Sequence, residues 1–353
     1  MSAIVDGASA TSHDAPSVNF PSRERSRMKI CIYGAGAIGG FLGARLGAHG
    51  HALCAVARGA TLAALKAHGM RLRLADREMQ VPVAASDDPA ALGPQDLVIV
   101  AVKGPGLPAV AARIAPLLGP ETLVLTAMNG VPWWFFFGMP GPCAGRKLTS
   151  LDPDGTLAAA IPVAHVIGCV VHASCKIAEP GVVAHVMGHG LIIGEPAGGL
   201  SPRVARIKGE LNAAGFECRA SERIQQDIWF KLWGNMTMNP ISAFTGATVD
   251  RIVDDDLVSG YCLAMMQEAA AVGNAIGCPI AQSGAERIDV ARKLGVFKTS
   301  MLQDVEAGKP LEIDVLLTVV REIAGHVGIA TPNLDALLGL TRLFARTRGL
   351  YPA

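Results

Sequence analysis

The stretch MKICIYGAGAIGGFLGARLGAHG, residues 28–50, joins an apolar run, a glycine-rich turn and an Ala/Leu-rich helical segment. The run KICIY is typical of a buried strand, and GAGAIG (34–39) opens the helical segment that follows it. In this context Gly34 permits the turn, Gly36 lets a pyrophosphate approach the backbone, and Gly39 allows close helix–strand packing. The free N–H groups of the helix then bind phosphate. We therefore predict a dinucleotide-binding loop made of Gly34, Ala35, Gly36, Ala37, Ile38 and Gly39.

The end of the next candidate strand, HALCAVA (51–57), indicates which dinucleotide binds. Sites specific for NAD place an acidic residue there to hold the ribose 2′-hydroxyl. This chain has no acid at that point and has Arg58 instead. A guanidinium pairs well with a 2′-phosphate, so we predict NADP(H) as the cofactor. The alternative is that Arg58 is a solvated loop residue.

Short apolar runs alternate with helical stretches through the first half of the chain, which predicts a parallel sheet covered on both faces. The segment RLRLADREMQVPV (71–83) predicts an additional two-stranded excursion. Two later runs end in the polar residues Lys103 and Asn129, where the edge of such a sheet borders its ligand. The other candidate strands are KICIY (29–33), LVIVAV (97–102), TLVLTA (122–127), VIGCVV (166–171) and GLIIG (190–194).

The second half of the chain loses these strand patterns near residue 221 and becomes rich in Ala, Leu, Met and Glu. We predict an α/β fold in which an N-terminal Rossmann-type doubly wound sheet is followed by an all-helical C-terminal domain. The expected parts are a disordered leader (1–27), an NADP-binding domain (28–222) and a helical substrate and catalytic domain (223–353). The expected helices are 222–238, 254–275, 284–306, 311–327 and 332–347.

Composition excludes several classes of partner. The formal net charge of the 353 residues is +1 and basic residues do not cluster, which argues against nucleic acid and anionic membranes. No apolar run reaches the ~18 residues that a membrane-spanning helix needs. The eight cysteines are scattered without a CxxC pair, which favours free thiols in a reducing cytoplasm and argues against a metal site.

The segment WFKLWGNMTMNP (229–240) places three polar residues four apart in apolar surroundings. On a helix, Lys231, Asn235 and Asn239 share one stripe. Lys231 alone could extend to solvent, and the two amides could be satisfied core residues, with Asn239 preceding Pro240 where a helix is disturbed. Burying all three without partners is costly, which favours a functional interpretation.

The segment TSMLQDVEAGKPLEID (299–314) contains a second polar group. Ser300 with Gln303 fits a capping box. Glu312 fits the first turn of a helix, where a carboxylate complements the helix dipole. From these patterns alone, both residues have an ordinary structural interpretation.

Taken together, MKICIYGAGAIGG, VAVK, MNG, KLWGNMTMNP and TSMLQDVEAGKPLEID resemble the ketopantoate reductase (2-dehydropantoate 2-reductase) family from Met28 to about residue 345. The resemblance implies NADPH-dependent reduction of a 2-oxo acid in pantothenate biosynthesis. It places the catalytic lysine at Lys231 and an active-site glutamate at Glu312. It implies the following further contacts: substrate with Asn129, Asn235, Asn239 and Ser300, and cofactor with Arg58, Lys103, Asn129 and Glu312.

The chain departs from the family pattern after Asn129, where the connection to the next strand is longer and contains Trp133–Phe137. We expect this aromatic segment to pack in a core. If it instead forms a lid, the enzyme would reduce a bulkier 2-oxo acid. A third alternative is a non-enzymatic NADPH sensor, although the presence of Lys231 and Glu312 argues against it. The partners that we consider are a small-molecule 2-oxo acid as the substrate and a second copy of the chain in a homodimer.

Overall fold

The glycine-rich stretch forms the first strand–helix–strand unit. The computed structural model describes residues 27–293 and 295–352. The strands are β1 (Lys29–Tyr33), β2 (Ala52–Val56), β3 (Met70–Arg73), β4 (Glu78–Val81), β5 (Ala84–Ser86), β6 (Gln95–Val100), β7 (Leu118–Ala127), β8 (Val166–Glu179), β9 (Val182–Gly194) and β10 (Glu217–Ser221). The helices of the first part are α1 (Ala37–Ala48), α2 (Gly59–His68), α3 (Leu107–Ala111), α4 (Thr156–Ala160) and α5 (Pro202–Ala213).

The remaining helices form the second part of the chain. They are α6 (Ile224–Thr245), α7 (Val249–Asp254), α8 (Asp256–Ala275), α9 (Gly284–Arg292), α10 (Ser300–Glu306), α11 (Val319–His326) and α12 (Pro332–Thr347), and a π-helical turn (Asp314–Thr318) leads into α11. Within the described residues, no helix is both long and apolar enough to cross a membrane. The predicted leader, except Arg27, lies outside the described residues.

All ten strands belong to one sheet with the order β4-β3-β9-β8-β7-β6-β1-β2-β5, and β10 pairs with β9. The central strands are parallel, with Cys31 of β1 opposite Cys54 of β2 and Val98 of β6. The predicted two-stranded excursion over residues 71–83 is confirmed, because β3 pairs antiparallel with β4. The expectation of a parallel sheet is wrong for β8 and β9, which form a long antiparallel hairpin. The β8–β9 hairpin is longer than the apolar runs VIGCVV and GLIIG, because the backbone hydrogen bonds between its two strands continue where the side chains are exposed.

Helix α6 continues through Pro240 to Thr245, so the expected end at residue 238 and the expected disturbance beside Asn239 are both wrong. An interior proline costs a helix about 3 kcal/mol. Here α6 buries Trp229, Trp233 and most of its other side chains against α8, α10, α12 and β8. Burial on nearly every side offsets the local cost.

The expected helix 284–306 is two helices separated by residues 293–299. The capping box lies at Ser283 and Glu286, at the start of α9. The expected box at Ser300 and Gln303 is wrong: Thr299 caps α10 by accepting from Leu302 N–H, and Gln303 Nε2 donates to the Lys298 carbonyl. A hydroxyl residue directly before Ser300 occupies the cap, so Ser300 begins the helix itself.

Two hydrophobic cores lie on opposite faces of the sheet. One packs α1 and α5 against residues such as Ile30 and Ile32 of β1. The other contains Cys31 and Tyr33 of the same strand and continues without a break into α6 and the rest of the helical part. The expectation that the aromatic segment packs is confirmed, because Trp133–Phe136 are buried in this second core and Phe137 is packed against it.

Candidate active site

The glycine loop has the geometry that a dinucleotide needs. Gly34 has a φ of 98°, and a Cβ there would lie 3.0 Å from Val102 N. A Cβ on Gly39 would lie 2.1 Å from the Gly34 carbonyl oxygen, so only glycine allows the helix this close to the strand. A Cβ on Gly36, in contrast, would meet nothing within 4 Å. Helix α1 begins directly after this open space with no side-chain cap, which leaves its N–H groups for phosphate.

A cavity of about 230 Å³ opens beside this loop, between the ends of β1 and β2. Arg58 lines it, together with Arg113 and Asp87. Burial raises the pKa of Tyr33 in the cavity wall, and the charges of Arg113 and Arg58 oppose that rise. The cavity therefore combines two guanidinium groups near the place where a ribose 2′-substituent would lie.

Arg113 was missed by sequence reasoning because it does not follow a strand. It lies just after α3 and reaches Asp88 at 3.4 Å, with both side chains largely exposed. An exposed pair of this kind is weak and can be broken by a ligand. In the sequence, Arg113 is a single arginine after an Ala/Pro-rich segment, and nothing in that pattern predicts that it lines the cavity.

Lys231 points into the protein and not to solvent. Its Nζ donates to Asn129 Oδ1 at 2.7 Å and to the Val171 carbonyl at 2.6 Å. These bonds join α6 to the residue that follows β7 closely and to the middle of β8, and they rule out a lysine that simply extends to water. Burial lowers the pKa of Lys231 to about 8, although the charges of Cys169 and Glu312 act to raise it. The group is thus poised to lose and regain a proton near neutral pH.

Glu312 lies just before the π-helical turn and not in the first turn of a helix. Its Oε1 accepts from Gly104 N–H at 3.1 Å, so it satisfies a backbone donor of the sheet domain and not of its own helix. Burial raises the pKa of Glu312, while the Gly104 N–H and the charges of Lys103 and Lys231 lower it. The carboxylate therefore lies on the same side of the site as Lys231.

Lys103 lies next to Gly104 but forms an ion pair with Asp304 of α10. It does not line the cavity that contains Arg58. Burial raises the pKa of Asp304, and the Lys103 ammonium opposes that rise. Asp304 was not singled out from the sequence, where an acid in the middle of SMLQDVE reads as an ordinary helical surface residue.

The remaining predicted substrate residues lie on α6 and at the start of α10, which pack against each other. Asn235 is half-buried and Asn239 is buried on the Lys231 stripe, while Ser300 is exposed. Among the described residues, neither asparagine side chain has a hydrogen-bond partner, whereas Asn129 accepts from Lys231. We use the term catalytic cleft for the region around Lys231 and Asn129 in which we expect the substrate, and in which the sequence also predicts Asn235, Asn239 and Glu312.

His172 follows Val171 in β8 and was also missed, because a single histidine in a strand has no spacing signal. Partial desolvation lowers its pKa to about 4, and the positive charges of Lys231, Arg219 and Arg287 act in the same direction. The charge of Asp227, the ion-pair partner of Arg219, opposes this shift. The ring is therefore neutral at physiological pH.

Away from the cleft, His49, His51 and Glu210 place one possible metal-ligand atom each within 4.8 Å of one another. His51 Nδ1 accepts from Met28 N–H at 3.4 Å, so a neutral ring carries its proton on Nε2, 3.2 Å from Glu210 Oε2. A protonated Nε2 cannot ligate a metal. This group is therefore best described as a histidine–carboxylate contact.

Comparisons with known proteins agree along the chain. The family model "Ketopantoate reductase PanE/ApbA" matches residues 30–198, and "Ketopantoate reductase PanE/ApbA C terminal" matches residues 223–345. A 2-dehydropantoate 2-reductase of Mesorhizobium japonicum is 44% identical over 92% of this chain and 100% of its own length. One from Halobacterium salinarum is 26% identical over 90% of this chain and 99% of its own.

Solved structures share the architecture. A chain from Ralstonia solanacearum MolK2 that is named as a ketopantoate reductase is 60% identical, with a TM-score of 0.89, and the match covers 92% of this chain and 100% of that one. A D-mandelate dehydrogenase solved with NADH and anilino(oxo)acetate has a TM-score of 0.78, with the same two coverages. At 19% identity, this second likeness concerns the fold alone.

Proposed function

The chain belongs to the ketopantoate reductase family, and from this membership we propose that it reduces 2-dehydropantoate (ketopantoate) to pantoate with NADPH. The family consists of NAD(P)-dependent oxidoreductases. The observation that carries the proposal is the position of Lys231, whose Nζ is held 2.7 Å from Asn129 Oδ1 inside the catalytic cleft. A lysine with a lowered pKa, fixed beside amide groups, is suited to donate a proton to a ketone oxygen.

The residues present fit a dinucleotide. The open space over Gly36, the uncapped start of α1 and the two arginines of the cavity match a pyrophosphate and an adenosine ribose phosphate. When bound, NADPH supplies the hydride that adds to C2 of the 2-oxo acid. We propose that residues 28–222 hold this cofactor and that residues 223–353 supply most of the groups that face the substrate.

The chain's own residues then handle the proton and the developing charge. As C2 is reduced, its ketone oxygen becomes negative, and Lys231 Nζ donates a proton to it and becomes neutral. Asn129 orients the lysine, and its amide nitrogen remains available to a substrate oxygen. The carboxylate of Glu312, by its charge, favours the protonated lysine and so prepares it for the next cycle.

The test is NADPH oxidation by the purified protein with a panel of 2-oxo acids of increasing side-chain size. We expect ketopantoate to have the highest kcat/KM. A clear preference for a bulkier acid would show that this acid, and not ketopantoate, is the substrate, while the proposed type of reaction would stand. Absence of turnover with every acid, combined with tight NADPH binding, would favour the sensor alternative and contradict the proposal.

We also propose that NADPH is preferred over NADH, because Arg58 and Arg113 flank the cavity where a 2′-phosphate would bind. A charge-assisted hydrogen bond is worth about 1.5–3 kcal/mol, so Arg58→Ala should raise the KM for NADPH about 10- to 100-fold and barely change that for NADH. Lys66→Ala removes a positive charge from the other end of α2 and serves as the control. Equal use of both cofactors by the unmodified enzyme would contradict this proposal.

The expected homodimer and cytoplasmic location are retained as proposals. All eight cysteines are free, which supports a reducing compartment. Light scattering on the purified protein measures its molar mass in solution. The molar mass of a monomer at working concentration would contradict the proposed homodimer.

A further inference from the structure

Arg287 of α9 lies directly across helix α6. A Cβ built on Gly234 would be 2.6 Å from Arg287 Nη2 and 2.8 Å from its Nε, so a larger residue here would push the guanidinium out of its present position. The Arg287 Cζ also lies 5.4 Å from the centre of the Phe230 ring, a cation–π arrangement. The side chain is therefore seated in a shallow notch formed by Phe230 and Gly234.

This notch lies on the stripe of α6 next to the one that carries Lys231 and Asn235. Phe230 and Gly234 are the immediate neighbours of Lys231 and Asn235 along α6, so the two pairs form adjacent stripes about 100° apart on the helix. The charges of Lys231 and Arg287 both act on His172, which places both cations near the same ring on β8. The guanidinium thus lies against the stripe of α6 that adjoins the stripe of Lys231.

Arg287 has no anionic partner among the described residues. The other arginine of α9, Arg292, reaches Asp254 at 3.1 Å and Asp289 at 2.7 Å. Arg287 is half-buried, and this burial alone lowers its pKa, with no carboxylate opposing the shift. A partly desolvated cation without a counter-ion carries a free-energy cost that an incoming anion would offset.

We propose that Arg287 binds a carboxylate of the substrate, an inference that rests on the proposed reduction of a 2-oxo acid. A guanidinium offers two parallel N–H donors that match a carboxylate, and a lysine cannot reproduce this arrangement. The carboxylate has two chemical sources. It is either the C1 group that every 2-oxo acid carries or the distal carboxylate of a dicarboxylic 2-oxo acid.

The test compares ketopantoate with 2-oxoglutarate, measuring KM or, for an acid that is not turned over, its inhibition constant. Arg287→Met should weaken binding about tenfold or more, with a much smaller effect on kcat, because an anchor used equally in ground and transition states changes KM. Arg287→Lys should restore only part of the loss. Arg292→Met on the same helix is the matched control and should change neither constant.

Gly234→Ala supplies an independent variant. Its Cβ should displace the guanidinium and raise KM in the wild-type background, yet add little in an Arg287→Met background. Weakened binding of both acids assigns the C1 carboxylate, and weakened binding of 2-oxoglutarate alone assigns the distal one.

The experiment distinguishes failure of the proposed role of Arg287 from failure of the proposed function. Unchanged constants for both acids in Arg287→Met, with an active wild-type enzyme, would overturn the role of Arg287 alone. A wild-type enzyme that reduces no 2-oxo acid would overturn the proposed function, and the carboxylate anchor would fall with it.

Discussion

At the scale of single residues, Lys231 combines two properties that its proposed role as proton donor requires. Its hydrogen bonds to Asn129 and to the Val171 carbonyl fix the position of Nζ, and both acceptors come from the sheet half of the chain. Burial lowers its pKa toward the working pH. The position of Lys231 Nζ and the pKa of Lys231 are therefore set by different parts of its environment, so separate mutations can change one without the other.

Replacing Lys231 by alanine should lower kcat for ketopantoate reduction by about 10²–10⁴-fold, the usual range for a positioned proton donor. NADPH affinity should change little, because the phosphates are expected at Gly34–Gly39 and Arg58. Lys231→Arg should not restore activity, since a guanidinium keeps its proton near neutral pH. Lys293→Ala, an exposed lysine at the end of α9, is the control. Near wild-type turnover by Lys231→Ala, measured at saturating substrates, would exclude the proposed role.

The pH dependence of the reduction follows from the same lysine. A general acid must be protonated, so kcat should be highest below the pKa of about 8 and fall as the pH rises through it. Because the charge of Glu312 raises the pKa of Lys231, Glu312→Gln should move this descending limb to lower pH. Steady-state rates over a pH series measure both effects. A profile that stays flat well above the pKa would argue that another group supplies the proton.

At the scale of elements, the aromatic segment after β7 is a packing unit. Trp134 is fully buried, and a Cβ on Gly168 of β8 would lie 2.6 Å from its ring, so a glycine in the strand makes room for the indole. The segment therefore packs against the sheet at β8. Its sequence alone is compatible with a lid, and only its burial separates the two interpretations.

Trp134→Ala should lower the free energy of unfolding by about 3–5 kcal/mol, because it leaves a large cavity in a close-packed core. The ranking of 2-oxo acids by kcat/KM should stay the same. Thermal unfolding and the substrate panel measure these two outcomes. Leu257→Ala removes a side chain that is 81% exposed and should change neither. A changed ranking at nearly unchanged stability would instead favour a lid.

At the scale of the whole molecule, the two halves of the chain share one hydrophobic core. Residues of the sheet, the aromatic segment and α6 belong to the same buried cluster. Polar contacts also cross between the halves, among them Lys231 with Asn129, Glu312 with Gly104 N–H, and Lys103 with Asp304. The catalytic cleft therefore exists only when both halves are folded against each other.

We accordingly expect a single cooperative unfolding transition. Because the shared core ties the helices to the sheet, loss of either half exposes apolar surface of the other. Far-UV and near-UV circular dichroism should give the same midpoint in urea. Two separated transitions would show that the shared core is too weak to couple the halves.

The sequence by itself determined the features that depend on neighbouring residues. The order strand–GAGAIG–helix specifies the dinucleotide loop because each glycine answers a local steric demand, and the absence of an acid before Arg58 is visible in the chain. The stripe of Lys231, Asn235 and Asn239 follows from helical periodicity. The division into a sheet half and a helical half follows from the change in pattern near residue 221.

Only the tertiary structure decided which distant residues meet. Glu312 accepts from Gly104, 208 positions away, and Lys103 meets Asp304, although nothing near either residue in the chain indicates its partner. The same holds for Arg287 against Gly234, and for α6, which passes Pro240 because burial outweighs a local cost. Periodicity reports whether a side chain is buried, whereas its contacts depend on how separate elements pack. The active-site chemistry is therefore readable in the residues, and its geometry comes from the packing of the two halves.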